Sequence, residues 1–407
     1  MPPQSWLPEG GENLFQRIKA QRDAAQAAGI KILNLAIGQP PGPALLSARM
    51  AAAEAVMSDA ESMHEYQDNG SPGAPGFARE FVEFHTGKLP DSVTVLPIPG
   101  IKPMLGLIPL ACNCQAAGGT LRVYTTTDPG YPTPADWCRN YLGVVGHRHL
   151  RLGPENNFRF SLARILEMER IPASVKILIM MNYPHNPSGQ IAIRSWLWEL
   201  CRICEANGFR LFNDAAYIGL AHSSECCSLA QVAVEFSELS WMEAYSASKL
   251  IGNGTGWRIG AMVGSPDFIA DIARVKGNTD SGFAAPMAAG VLAAIVHDRA
   301  GIEAYRVRYG RRIEILINIL HSKNMQLAVM PGAGFFTLWL APDFAFGQPV
   351  KRSGEKFNDL MIERTGVVGV PFGPYIRYAV VGDIAAMAQE ISHAFSQANV
   401  GYEVKIV

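Results

Sequence analysis

No stretch of the 407-residue sequence is apolar for long enough to cross a bilayer. The amino terminus, Met1-Pro2-Pro3-Gln4-Ser5, has no basic region followed by an apolar segment, so a secreted protein is not expected and a cytoplasmic one is. Charge of one sign is also missing. Lys and Arg number 35 against 36 Asp and Glu, a formal net charge of -1, which gives no charge-driven affinity for nucleic acid or anionic membranes. Cysteine is sparse and odd in number, seven in all, which argues for reduced thiols rather than a disulfide framework. Cys201 and Cys204 form a Cys-x-x-Cys pair, but no second Cys or His pair stands at ligand spacing. Core packing is the expected role, and Cys112, Cys114, Cys226 and Cys227 read the same way. His147 and His149 alternate on a candidate strand and read as a solvated face rather than a metal site. There is no Ser- or Pro-rich linker, internal repeat or low-complexity tract.

What is present is a large apolar fraction, 48% of residues, enough for an extensive core divided between two domains. Apolar strand candidates recur at Leu121 to Thr125, Gly143 to Leu150, Val175 to Met181, Phe209 to Phe212, Trp241 to Tyr245 and Ala261 to Gly264, with helical stretches between most of them. That alternation predicts an α/β fold with a mostly parallel sheet covered on both faces. Leu14 to Ala28 reads as a polar helix. Beyond about residue 300 the pattern changes: a charged helix passes through Tyr305 and Arg308 to Arg312, followed by strands at Phe335 to Leu340 and Ile376 to Val381. A closing helix is expected from Asp383, its cap, with Ile384, Met387, Ile391 and Phe395 on one face.

The chemistry concentrates where apolar runs stop. Ser246-Ala247-Ser248-Lys249 is followed by Gly256-Trp257-Arg258-Ile259-Gly260. A lysine beside small hydroxyls, with an arginine a short loop away, suits a phosphate-bearing aldehyde: the amine forms a Schiff base and the guanidinium forks onto the phosphate. Asn182-Tyr183-Pro184-His185-Asn186-Pro187-Ser188-Gly189 follows the run Val175 to Met181, and its prolines force a turn at the strand's carboxyl end. Open α/β sheets place ligands there, and Asn186 has an amide to donate to a ring oxygen. Asp214, in Asn213-Asp214-Ala215-Ala216-Tyr217, ends another strand. A buried carboxylate needs a partner, and a pyridinium nitrogen is one; capping of a following helix is the other reading. Tyr217 is placed to hydrogen-bond the same ring's phenolic oxygen. Pro99-Gly100-Ile101-Lys102 enters an apolar helix whose free backbone N–H groups face an anion.

Together, in this chain order, the four segments resemble the aspartate-aminotransferase-like, class I/II, fold type I pyridoxal-phosphate enzymes, over about Leu33 to Arg377. The resemblance implies a seven-stranded-type sheet in a large cofactor domain, 46–300, and a small domain, 301–407, with the segment 1–45 packed on it. It implies pyridoxal 5'-phosphate held by Lys249, Gly100, Ile101, Lys102, Asn186, Asp214, Tyr217, Ser246, Ser248 and Arg258, with Tyr131 of Asp128-Pro129-Gly130-Tyr131-Pro132 stacked on the pyridine. It implies that Gly38, Asn186 and Arg377 meet the substrate, Arg377 gripping the α-carboxylate. Tyr66 matches a tyrosine that reaches the partner's phosphate in a homodimer with shared sites. Two features depart from the pattern: Ile101 stands where a small residue is usual, and the segment Gly366 to Arg377 is compact.

The implied activity is transamination between an L-amino acid and a 2-oxo acid, with ping-pong kinetics. Asn278-Thr279-Asp280-Ser281-Gly282, together with Gly100-x-Lys102, is similar to a subset that includes diaminopimelate aminotransferases; an ordinary turn and cap is the other reading. Another reaction on the same scaffold, β-elimination, decarboxylation or oxidation, remains an alternative, because the cofactor residues do not select the chemistry. A non-catalytic ligand-binding protein is the more distant one.

Overall fold

The computed structural model describes residues 14–116, 120–142, 146–169, 171–172 and 174–403. Its centre is a seven-stranded sheet, in spatial order Thr94–Ile98, Gly260–Gly264, Trp241–Ser246, Arg210–Asp214, Lys176–Met181, Leu121–Asp128 and Gly146–Arg151. The five strands from Trp241–Ser246 to Gly146–Arg151 pair in parallel. Gly260–Gly264 runs antiparallel to both its neighbours.

The apolar runs form central strands because both faces are covered. In Lys176–Met181, Ile177, Ile179 and Met181 enter one core layer, while Leu178 and Met180 enter the layer on the opposite face. This is the period-two alternation of a strand buried on both sides. A third core lies among the later elements. The antiparallel strands Val370–Phe372, Tyr375–Ala379 and Phe336–Leu340 are covered by Arg299–His321 and Ala388–Ala398. The amino-terminal residues join this part: Leu33–Asn34 pairs in parallel with Val367–Val368, and Gln21 on helix Leu14–Ala27 donates to Asp359 at 2.9 Å.

Strand direction explains how distant segments reach one place. Asn182, Asp214 and Ser246 stand at the carboxyl ends of parallel strands. Arg258 precedes its strand, yet reaches the same end because Gly260–Gly264 is antiparallel and Gly260 pairs with Ser246. Ile98 pairs with Gly260 in turn, which delivers Gly100 to that edge.

Four expectations are corrected. The closing helix begins at Ala388, not Asp383; the Asp383 carboxylate accepts from the Ala386 N–H at 3.3 Å and caps only a preceding turn, although Ile384, Ile391 and Phe395 are buried as expected. His147 and His149 are half-buried rather than solvated, because the neighbouring strand offers hydroxyls: Thr125 Oγ1 lies 2.8 Å from His147 Nε2, and Thr127 Oγ1 2.7 Å from His149 Nδ1. Cys226 and Cys227 are only half-buried, whereas Cys112, Cys114, Cys201 and Cys204 lie in the core. The strand expected over Gly143 to Leu150 is Gly146–Arg151, with 143–145 outside the described residues. Among the described residues no group of three or more His, Cys, Asp or Glu could hold a metal ion.

Candidate active site

A cavity of about 540 Å³ opens at these strand ends. Gly38, Ile101, Lys102, Tyr131, Asn186, Asp214, Tyr217, Ser246, Ser248, Lys249 and Arg258 line it, so eleven of the fourteen site residues expected from sequence meet in one place. Gly100 and Arg377 stand directly behind the wall. Tyr66 does not line the cavity and is 79% exposed.

Lys249 follows the buried strand Trp241–Ser246, and its amine lies 5.2 Å from the centre of the Tyr217 ring. Burial lowers its pKa; the Asp214 carboxylate opposes that, and Arg258 adds to it. Asp214 is 8% exposed and accepts from the Ala216 N–H at 3.2 Å. Burial raises its pKa to about 6, against the pull of Lys249 and of that N–H. A carboxylate in such surroundings is better satisfied by a cation with a proton to donate than by what this chain alone supplies.

Asn182 and Asn186 tie this point to the carboxyl-terminal part. Asn182 Nδ2 donates to Asp214 O at 2.7 Å, and Asn186 N donates to Asn182 Oδ1 at 3.0 Å. Arg377, 1% exposed, donates to Asn186 Oδ1 at 2.8 Å and to Ala36 O at 3.0 Å. Its guanidinium lies 4.1 Å from the Phe336 ring centre, and burial lowers its pKa to about 10, leaving it cationic at neutral pH. Accepting from Arg377 directs the oxygen of the Asn186 amide toward the guanidinium and leaves its N–H groups for another acceptor.

A deeper network fixes these turns. Asn213 accepts from Tyr183 N at 2.8 Å and donates to Tyr183 O at 2.9 Å and to Glu243 Oε1 at 2.7 Å. Fully buried Glu243 also accepts from Leu229 N, Ala230 N and the Tyr245 hydroxyl. Sequence reading missed this hub, although its signal was present as a lone carboxylate inside an apolar strand.

The other end of the cavity gathers groups that suit an anion. Helix Ile101–Ala111 begins there, Ser246 Oγ donates to Ser248 Oγ at 2.9 Å, and the Arg258 guanidinium is held by the Thr255 carbonyl at 2.9 Å. Gly100, at φ 79° and ψ 163°, occupies backbone space essentially reserved for glycine. A Cβ there would lie 2.4 Å from Arg258 Nη2, so the arginine packs against bare backbone. Gly100→Ala is expected to displace Arg258 and to weaken binding of a phosphate-bearing ligand at this end at least about tenfold; titration of the variant and the wild type with such a ligand checks it.

Pro103, Leu105, Trp137, Asn182, Ala216 and Thr255 line the cavity without having been expected. Trp137 had a faint signal in Gly106, a glycine inside an apolar helix, where a Cβ would lie 2.6 Å from the indole.

The sequence model of the aminotransferases of class I and II matches residues 30–380. The chain belongs to this family. Among curated relatives, LL-diaminopimelate aminotransferase 2 of Trichormus variabilis is 28% identical over 380 residues, covering 91% of this chain and 89% of that protein. The LL-diaminopimelate aminotransferase of Methanocaldococcus jannaschii is 28% identical over 380 residues, covering 90% and 85%. In fold the chain is similar to substrate-bound BacF of Bacillus subtilis, with a TM-score of 0.82 at 19% identity over 99% of this chain and 100% of that one. It is also similar to a single mutant of Thermus thermophilus aspartate aminotransferase, with a TM-score of 0.79 at 19% identity over 98% and 100%. The protein is therefore an aminotransferase, a transferase of fold type I, and family and fold imply pyridoxal-phosphate use.

Proposed function

We propose that this aminotransferase carries pyridoxal 5'-phosphate on Lys249 and moves an amino group from an L-amino acid to a 2-oxo acid in two half-reactions. The observation that carries the reading is the single cavity in which a lysine of lowered pKa faces a buried carboxylate at one end and an arginine–hydroxyl–helix cradle at the other. These residues fit the group: Arg258, Ser246, Ser248 and the helix start for its phosphate, Asp214 for its ring nitrogen, Asn186 and Tyr217 for its phenolic oxygen, and Tyr131 for its ring face.

When bound, the cofactor supplies an electron-accepting ring that stabilises negative charge on the substrate's α-carbon. Arg377 binds the α-carboxylate as a planar fork, held in place by Asn186 and the Ala36 carbonyl. Lys249 takes the α-proton as a base and delivers it again as an acid, a role served by a pKa below the usual lysine range. Asp214, ionised beside a protonated ring nitrogen, keeps that proton in place.

A homodimer with shared sites is part of the reading. Tyr66 stands away from its own cavity, and Leu46, Met50, Val56 and Met57 form an exposed apolar stripe on and just after helix Leu46–Val56, a surface suited to burial against a second copy. The division into 46–300 and 301–407, with 1–45 joined to the latter, is supported for the described residues by the Leu33–Val367 pairing, residues 1–13 and 404–407 lying outside them. A cytoplasmic location is supported by the seven free cysteines, which suit a reducing compartment; no described helix is long and apolar enough to cross a membrane.

The relatives' names make LL-diaminopimelate the first amino donor to try. Adding it, or a pooled set of L-amino acids, without any 2-oxo acid is expected to replace the visible band of the lysine-bound cofactor by that of its amine form. One 2-oxo acid should appear per site. A band that persists with every donor, or a product other than the 2-oxo acid, would sink transamination in favour of another reaction or a binding role.

A further inference from the structure

Lys276 is completely buried, although it ends a surface helix and has one acidic partner. Burying an ammonium is costly unless its donors are used. All three are: Asp280 Oδ1 at 2.7 Å, Asn69 Oδ1 at 3.2 Å and Asp68 O at 3.4 Å. Two of these acceptors sit in the loop that carries Tyr66, about two hundred residues away in sequence.

The rest of the contact repeats the pattern. Gln67 N and Asp68 N both donate to Ser281 O, at 3.0 and 2.9 Å. Asn69 Nδ2 donates to Ala273 O at 3.3 Å. Asp280 also accepts from Gly282 N at 2.9 Å, holding Gly282 at φ 107°, where a Cβ would lie 2.7 Å from Asp68 N. Two exposed loops, 65–70 and 277–282, are thus joined by one buried cation, while Tyr66 itself projects into solvent.

We propose that Lys276 is a positioning residue for the neighbouring subunit's site: by joining loops 65–70 and 277–282 it fixes the backbone from which Tyr66 reaches the partner's cofactor phosphate. The proposal rests on the shared-site homodimer read above. Tyr66 has little packing of its own, so its aim depends on its backbone, and misplacement by about 1 Å is enough to lose a productive contact.

The test uses the full-length protein. In Lys276→Met, hydrogen exchange at the Gln67 and Asp68 amides of the cofactor-free protein should speed up about tenfold or more, and the cofactor should bind at least about tenfold more weakly. Lys276→Arg should recover part of both. The decisive measurement is a mixed dimer, isolated through two different tags, of one Lys276→Met and one Lys249→Ala subunit. The Lys276→Met subunit then receives intact loops from its partner, so its site should bind cofactor with wild-type affinity and give about half of wild-type turnover. If that site stays as weak as in the Lys276→Met homodimer, or if exchange and affinity are unchanged in the single variant, the proposal is overturned. A wild-type protein that is monomeric by light scattering overturns the shared-site reading and the proposal with it; a dimer without rescue overturns the proposal alone.

Discussion

A Lys249→Ala variant is expected to lose about four orders of magnitude in kcat, the upper end of what one acid–base group contributes. The size follows from the amine's two duties, holding the cofactor and moving the α-proton. An amine with an ordinary pKa of 10.5 is basic in only about one molecule per thousand at pH 7.5, so the lowering by burial serves the proposed proton transfer. Binding should suffer far less than turnover. On the proposed reading, Asp214 with Ser246, Ser248 and Arg258 remains to hold the cofactor, and Arg377, bonded to Asn186, remains to hold the donor. Single-turnover mixing of cofactor-loaded variant with donor should therefore show a slow proton-transfer step with little change in donor affinity. Turnover within tenfold of wild type would remove Lys249 from the reaction.

What the sequence revealed and what it hid divide along a physical line. Lys249, Asp214 and Asn186 were legible because each follows an apolar run, and a polar group at the mouth of a buried strand announces a site. Arg258 was legible as a cation near Lys249, but its contact with Gly100 was not. That contact depends on Gly260–Gly264 running antiparallel between two strands far apart in sequence, and a five-residue apolar run carries no mark of direction. The hydroxyls that half-bury His147 and His149 were hidden in the same way, since they come from the register between Leu121–Asp128 and Gly146–Arg151. Asp383 misled because a capping residue followed by apolar spacing fits a turn as well as a helix; the chain makes a turn first and starts the helix at Ala388. Lys276 carried no sequence signal at all. Its burial comes from the meeting of loops about two hundred residues apart.

Asp214→Asn should separate stability from function in opposite directions. Turnover is expected to fall by about 10²- to 10³-fold, because a neutral amide no longer favours the ring proton on which charge stabilisation depends. The cofactor-free protein, in contrast, should become more stable at pH 7.5. In the wild type burial raises the folded-state pKa of this carboxyl to about 6 from 3.8. A carboxyl raised in this way costs nothing well below pH 3.8, where both states are protonated. The cost grows between about pH 4 and 6 and is complete above, at roughly 3 kcal/mol. Asn carries no such penalty, although Lys249 loses its nearest counter-charge, so a net gain of about 1–2 kcal/mol, or on the order of 1–3 °C in Tm, is expected. Loading the cofactor should reverse the order, because only the wild-type carboxylate gains a cationic partner. Scanning calorimetry of both proteins, with and without cofactor, at pH 5 and pH 7.5 tests the sign. A cofactor-free variant less stable than wild type at pH 7.5 would mean that Lys249 already satisfies Asp214, and the carboxylate would no longer argue for a missing cation.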